Sequence, residues 1–143
     1  MKIDSISFYE ALADEMNAHV ERFTVLGDAD MVGSLVMRKP DGDVAVMLRF
    51  EGLACDGVAA VDVEEATVAD FYLDGPIEAW QAMFDDICAH GAASGRQTIN
   101  SLAMLGTGIR LRGNDPMGTD KFSRFNQTLQ EYLDGAARLA VPA

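Results

Sequence analysis

The chain has 143 residues, of which 49% are hydrophobic and 24% charged. Those proportions suit an ordinary globular domain and exclude a disordered tail, a collagen-like repeat and a disulfide-stapled miniature. Eleven Lys and Arg against 23 Asp and Glu leave a net charge of −12, which repels phosphate backbones and anionic headgroups, so neither a nucleic-acid partner nor stable membrane insertion is expected.

Residues 5–24 predict a helix. Ser5 or Ser7 is placed to cap it, with Glu10 three after Ser7 as in a capping box. Phe8, Leu12, Met16, His19, Val20 and Phe23 follow at spacings of three and four, and Gly27-Asp28 breaks the period. The period then changes to two. Residues 31–39, the turn Pro40-Asp41-Gly42-Asp43 and residues 43–51 predict strand, turn, strand. Alternation sets Val44, Val46, Leu48 and Phe50 on the expected core face, opposite Ala45, Met47, Arg49 and Glu51. Asp56-Gly57 predicts a second turn, 57–63 a third strand and 66–74 a fourth. Short connections between consecutive strands favour an antiparallel meander.

Gly75-Pro76 ends the strands, and Pro76 suits the first turn of a helix because its missing N–H does no harm there. That helix carries Trp80, Met83, Phe84, Ile87 and Cys88 at helical spacing. Residues 91–96 are small and predict a mobile connection. A short helix capped by Thr98 and stopped by Gly106 follows, then a strand over 109–114 halted by Gly113-Asn114-Asp115-Pro116. The last helix spans 119–138, capped by Thr119 or Asp120 and striped by Phe122, Phe125, Leu129, Tyr132 and Leu133, with a tail from Ala140 to Ala143. Segregated strands and helices predict an α+β domain, an antiparallel sheet of about five strands covered on one face by helices.

Cys55 and Cys88 lie far apart, and the N-terminal stretch carries acids where a leader peptide would be basic. No run approaches the roughly 18 apolar residues of a membrane span. These features predict a cytoplasmic protein with reduced thiols in or near the core.

The C-terminal half is the most specific part of the chain. A strand passes into Asp74-Gly75-Pro76-Ile77-Glu78-Ala79-Trp80, then come a small-residue loop, a short helix, Leu111-Arg112-Gly113-Asn114 and an amphipathic terminal helix. This order resembles the sterol carrier protein two family of lipid-binding domains. The resemblance implies one such domain over residues 1–143, with an apolar tunnel between sheet and helices. It also implies binding of sterols, fatty acyl chains or other hydrophobic molecules, usually without chemistry. Trp80, Met83, Phe84, Leu102, Leu105, Phe122, Phe125 and Leu129 are the expected tunnel lining. Met47, Met83 and Met104 fall in wall elements, where an unbranched polarisable side chain adapts to varied shapes.

Catalytic patterns are sparse. His19 and His90 stand alone, with no second ligand at metal spacing, and no GxSxG, GxGxxG or P-loop pattern occurs. No cofactor or metal is therefore expected. Asp70 and Tyr72 are two apart on the fourth predicted strand, with Asp62 and Asp74 on the same side; facing a cavity, they would form an acid/base pair. Arg110 and Arg112 are placed to pair with those acids or, with Arg96, to hold the anionic end of a ligand. The expected function is non-enzymatic binding or transfer of a hydrophobic small molecule, with a partner enzyme or a homodimer as further company. The alternative is a small isomerase, hydratase or lyase using Asp70 and Tyr72.

Overall fold

Ser5 opens α1 (Ile6–Ala18), its hydroxyl accepting from the Phe8 amide. The structure, a computed structural model, describes residues 2–106 and 108–139, so the tail from Ala140 to Ala143 lies outside the described residues. The single helix expected over 5–24 is two. His19 leaves helical geometry, and the chain re-enters at α2 (Glu21–Thr24). Near the break the Asn17 side chain takes both backbone groups of Cys55, at 2.9 and 3.0 Å, and so ties α1 to the sheet.

The hairpin of β1 (Ala29–Arg38) and β2 (Val44–Gly52) turns where Pro40 to Asp43 predicted. Val46, Leu48 and Phe50 enter the main core with Leu35 and Met37, while Val44 is only half-buried at the strand end. Asp56-Gly57 is not a turn. The chain reverses at Gly52-Leu53, and β3 (Ala54–Val61) pairs with β2 so that Arg49 faces Gly57 and Phe50 faces Cys55. Asp56 is the extra residue of a β-bulge, and its carboxylate accepts from Arg49 Nε at 3.0 Å.

The meander ends there. Asp62 caps α3 (Val63–Ala66), its carboxylate accepting from the Glu65 amide at 2.7 Å. This short helix packs on β1 and β2, on the sheet face turned away from the main core, with Ala66, Val36 and Ala45 buried beneath it. It carries the chain across the sheet, so β4 (Phe71–Pro76) pairs with β1 in parallel rather than with β3. The strand order is β3-β2-β1-β4-β5, mostly antiparallel with one parallel pair. Gly33 permits the β1–β4 junction: a Cβ there would stand 2.7 Å from the Phe71 ring.

Pro76 remains in β4 as the cap of α4 (Ile77–His90), which Gly91 ends in left-handed geometry. Trp80, Met83, Phe84 and Ile87 form its buried stripe, as its spacing predicts. Residues 91–96, the connection expected to be mobile, are tied to two helices by backbone donors. The Ser94 amide donates to Asp86 at 2.7 Å and the Ala93 amide to Asp134 at 3.1 Å. Thr98 caps α5 (Ile99–Leu105) and Gly106 stops it, as expected. After β5 (Arg110–Arg112), Asp115 rather than Thr119 or Asp120 caps α6 (Pro116–Asp134), with Pro116 at its first position. Gly135 separates α7 (Ala136–Leu139). The main core joins α1, α4, α5, α6 and α7 to one face of the sheet, the helix-covered α+β arrangement its element order predicts.

Candidate functional site

Where α1, α4 and α7 meet, their apolar stripes leave a pocket of about 150 Å³. Ile3 and Phe8 supply one wall, Phe84 and Cys88 of α4 another, and Ala136 and Leu139 of α7 a third, with Gln81 and Asp85 at the rim. Phe8 meets the Phe84 ring edge-on at 5.1 Å and the Tyr9 ring at 5.0 Å, so the aromatic wall is locked from behind. Arg138 Nε donates to Glu15 at 2.5 Å and pins α7 to α1. A dry apolar cavity of ~150 Å³ is large enough for a benzene-sized group, whereas pockets for drug-sized ligands run to about 300–1,000 Å³. The pocket therefore fits a ring or a short run of methylenes as it stands.

Polar groups are confined to the rim. Gln81 Nε2 donates to Asp85 at 2.9 Å. Burial pushes the Cys88 thiol pKa up, and the Asp85 charge adds to the shift, which favours the neutral thiol. Both thiols were expected in or near the core: Cys88 is an exposed residue beside it at the pocket, whereas Cys55 is buried with its thiol pushed up to about 11 by desolvation.

The expected lining residues occupy several environments. Phe84 lines the pocket. Trp80 and Met83 are fully buried behind it, and Trp80 Nε1 donates to the Val36 carbonyl at 3.0 Å. Leu102, Phe122 and Leu129 lie in the same continuous core, and half-buried Phe125 packs against it with Arg124 5.1 Å above its ring. Leu105 is 56% exposed at the end of α5, beside Met104 at 77%. Ile3, Phe8, Gln81, Asp85, Cys88, Ala136 and Leu139 were not expected at a site. On α4 the signal was present in the sequence, since Gln81, Phe84, Asp85 and Cys88 follow at spacings of three, one and three along one helix face.

The acid/base pair finds no geometric support. Asp70 precedes β4, and its carboxylate accepts from the Val32 amide at 2.8 Å and from Lys121 at 3.3 Å. Tyr72 packs with the small cluster under α3, on the far face of the sheet. Neither lines the pocket. Asp62 is spent as a helix cap and Asp74 pairs with Arg38 at 2.7 Å. Arg110 stands opposite Asp74 and Arg112 opposite Tyr72 in the β4–β5 register, yet neither these two nor Arg96 line the pocket. His19 and His90 each approach a carboxylate one turn back, Glu15 at 3.2 Å and Asp86 at 3.0 Å. Among the described residues, no helix is long and apolar enough to cross a membrane.

No protein-family model and no curated protein matches the chain. Its fold has clear counterparts among solved structures. A crystal structure of sterol carrier protein 2 superposes with a TM-score of 0.72 at 21% identity, covering 95% of this chain and 98% of that one. The solution structure of a conserved hypothetical protein of Thermus thermophilus, described there as a candidate sterol carrier protein, gives a TM-score of 0.74 at 20% identity. It covers 99% of this chain and 92% of that one. Over nearly its whole length, then, this chain has the fold of sterol carrier protein 2, the family that its element order resembles.

Proposed function

We propose that this protein binds a hydrophobic small molecule and carries it without altering it. The observation that carries the proposal is the apolar pocket between α1, α4 and α7, set in a fold shared with sterol carrier protein 2. The ligand's first ring or methylenes occupy the space beside Phe8 and Phe84, and a longer ligand parts α4 from α6. In that state Trp80, Met83, Leu102, Phe122, Phe125 and Leu129 line its path, with Leu105 at the far end. The chain acts as one cytoplasmic domain that passes its ligand to a partner enzyme or a second copy of itself.

Burying ten methylenes supplies about 8 kcal/mol, the equivalent of a micromolar Kd before association costs. Affinity should therefore climb along a series of n-alkanols well beyond the length that the pocket now holds. Displacement of an uncharged fluorescent apolar probe measures this. Trp80, one helical turn from Phe84, should begin with a blue-shifted emission and change as long chains bind. Absence of saturable binding by any acyl chain, sterol or aromatic polycycle overturns the proposal.

A further inference from the structure

The polar groups of the pocket lie at its rim. Five of the residues lining it are Ile3, Phe8, Phe84, Ala136 and Leu139, and the remaining three are Gln81, Asp85 and Cys88. The only charge among them is the Asp85 carboxylate. Gln81 already donates to one of its oxygens, leaving acceptor capacity on the group but no cation from the lining to neutralise it. The Cys88 thiol beside it is kept neutral. The arginines best suited by sequence to hold an anionic end, Arg96, Arg110 and Arg112, are not at this site.

We infer that Asp85 makes the pocket favour apolar molecules whose polar end donates a hydrogen bond, an amine or an alcohol, over those ending in a carboxylate or phosphate. This inference rests on the proposed binding function and narrows its ligand class. The tail enters among Phe8, Phe84 and Leu139, which leaves the head at the mouth beside Asp85. There a hydroxyl donates to the carboxylate, whereas an anion meets a like charge. Because Asp85 is exposed, water screens part of that repulsion. Like charges about 4 Å apart cost roughly 1 kcal/mol in bulk water and more near a protein surface, which gives a discrimination of about fivefold to tenfold.

Three probes with one ten-carbon tail, decanol, decylamine and decanoate, test it by competition against a fluorescent apolar probe near neutral pH and at low ionic strength. Decanol should bind about fivefold to tenfold more tightly than decanoate and decylamine at least as tightly as decanol, and salt near 1 M should narrow the gap for decanoate. Asp85→Asn should bring decanoate to within about twofold of decanol, and Asp85→Lys should make it the tightest of the three, with circular dichroism confirming the parent fold. Decanoate binding the parent as well as decanol, or a preference that survives Asp85→Asn, overturns the inference while leaving the binding function intact. Failure of all three probes to bind overturns the binding function itself.

Discussion

Gly118 stands at the third position of α6, where the helix meets the start of β4. A Cβ at that position would overlap the Asp70 carbonyl oxygen and lie 3.1 Å from the Asp70 Cα. Asp70 has little freedom to move away. Its amide donates to the Val32 carbonyl at 2.9 Å and its carboxylate accepts from the Val32 amide at 2.8 Å. Exchanging Gly for Ala in a helix ordinarily gains up to about 1 kcal/mol. Forcing a methyl into closed packing costs about 1–3 kcal/mol, and an overlap with fixed backbone rather than a flexible side chain puts this site at about 2–3 kcal/mol. Gly118→Ala should therefore destabilise the protein by roughly 1–2 kcal/mol, lowering Tm by about 3–8 °C. Ser123→Ala, at an exposed position of the same helix, should instead gain a few tenths of a kcal/mol. Urea unfolding followed by circular dichroism measures both. The close seating of α6 also sets where Phe122 reaches the Phe71 ring, 5.4 Å between centroids. A Gly118→Ala variant as stable as the parent would refute this docking of α6 on β4.

Asp134 is buried, and desolvation raises its pKa even though the Ala93 amide and Gln130 donate to it. Its proton is held more tightly folded than unfolded. The stability this contributes is therefore present below the unfolded pKa and lost as pH rises through the folded one. Asp134→Asn keeps the acceptor oxygen and removes the buried charge, so it should be more stable than the parent near pH 7 and equal to it near pH 3 in urea titrations; lower stability at neutral pH would count against a penalty from the buried charge. Phe122→Ala should cost about 3–5 kcal/mol, as for a closed core. Half-buried Phe125→Ala should cost less, about 1–2 kcal/mol. Equal losses in thermal melts would contradict the different seating of the two rings.

Local periodicity made much of this fold legible. The β1–β2 hairpin, the buried stripe of α4 and the caps of α5 follow from spacing and turn chemistry alone. What escaped were decisions that depend on tertiary pairing. Asp56-Gly57 has turn composition, yet the bulge absorbs it, because one extra residue in a ladder uses the same residues as a reversal. The run 66–74 looks like one strand after 57–63. Its first residues belong instead to a crossover that α3 begins, and this places β4 beside β1. Asp62 with Glu65 three later was a capping signal available in the sequence. The pocket was only partly legible for the same reason. Its walls come from three helices, and the sequence shows each apolar stripe without showing where the stripes fail to fill the space between them. Phe84 was expected to line a tunnel between sheet and helices and lies instead in this pocket between helices, while Phe8 was assigned to the stripe of α1 and Ala136 and Leu139 carried no pattern of their own.

The proposed function depends on an apolar ligand entering between α1, α4 and α7. Intermolecular nuclear Overhauser effects between unlabelled dodecanol and the isotope-labelled protein test it most directly. Saturable contacts are expected from the alkyl chain to the rings of Phe8 and Phe84 and to the methyl groups of Ile3 and Leu139, with the hydroxyl end nearest Asp85. Saturable contacts confined to the exposed Met104 and Leu105, or to residues under α3, would contradict it.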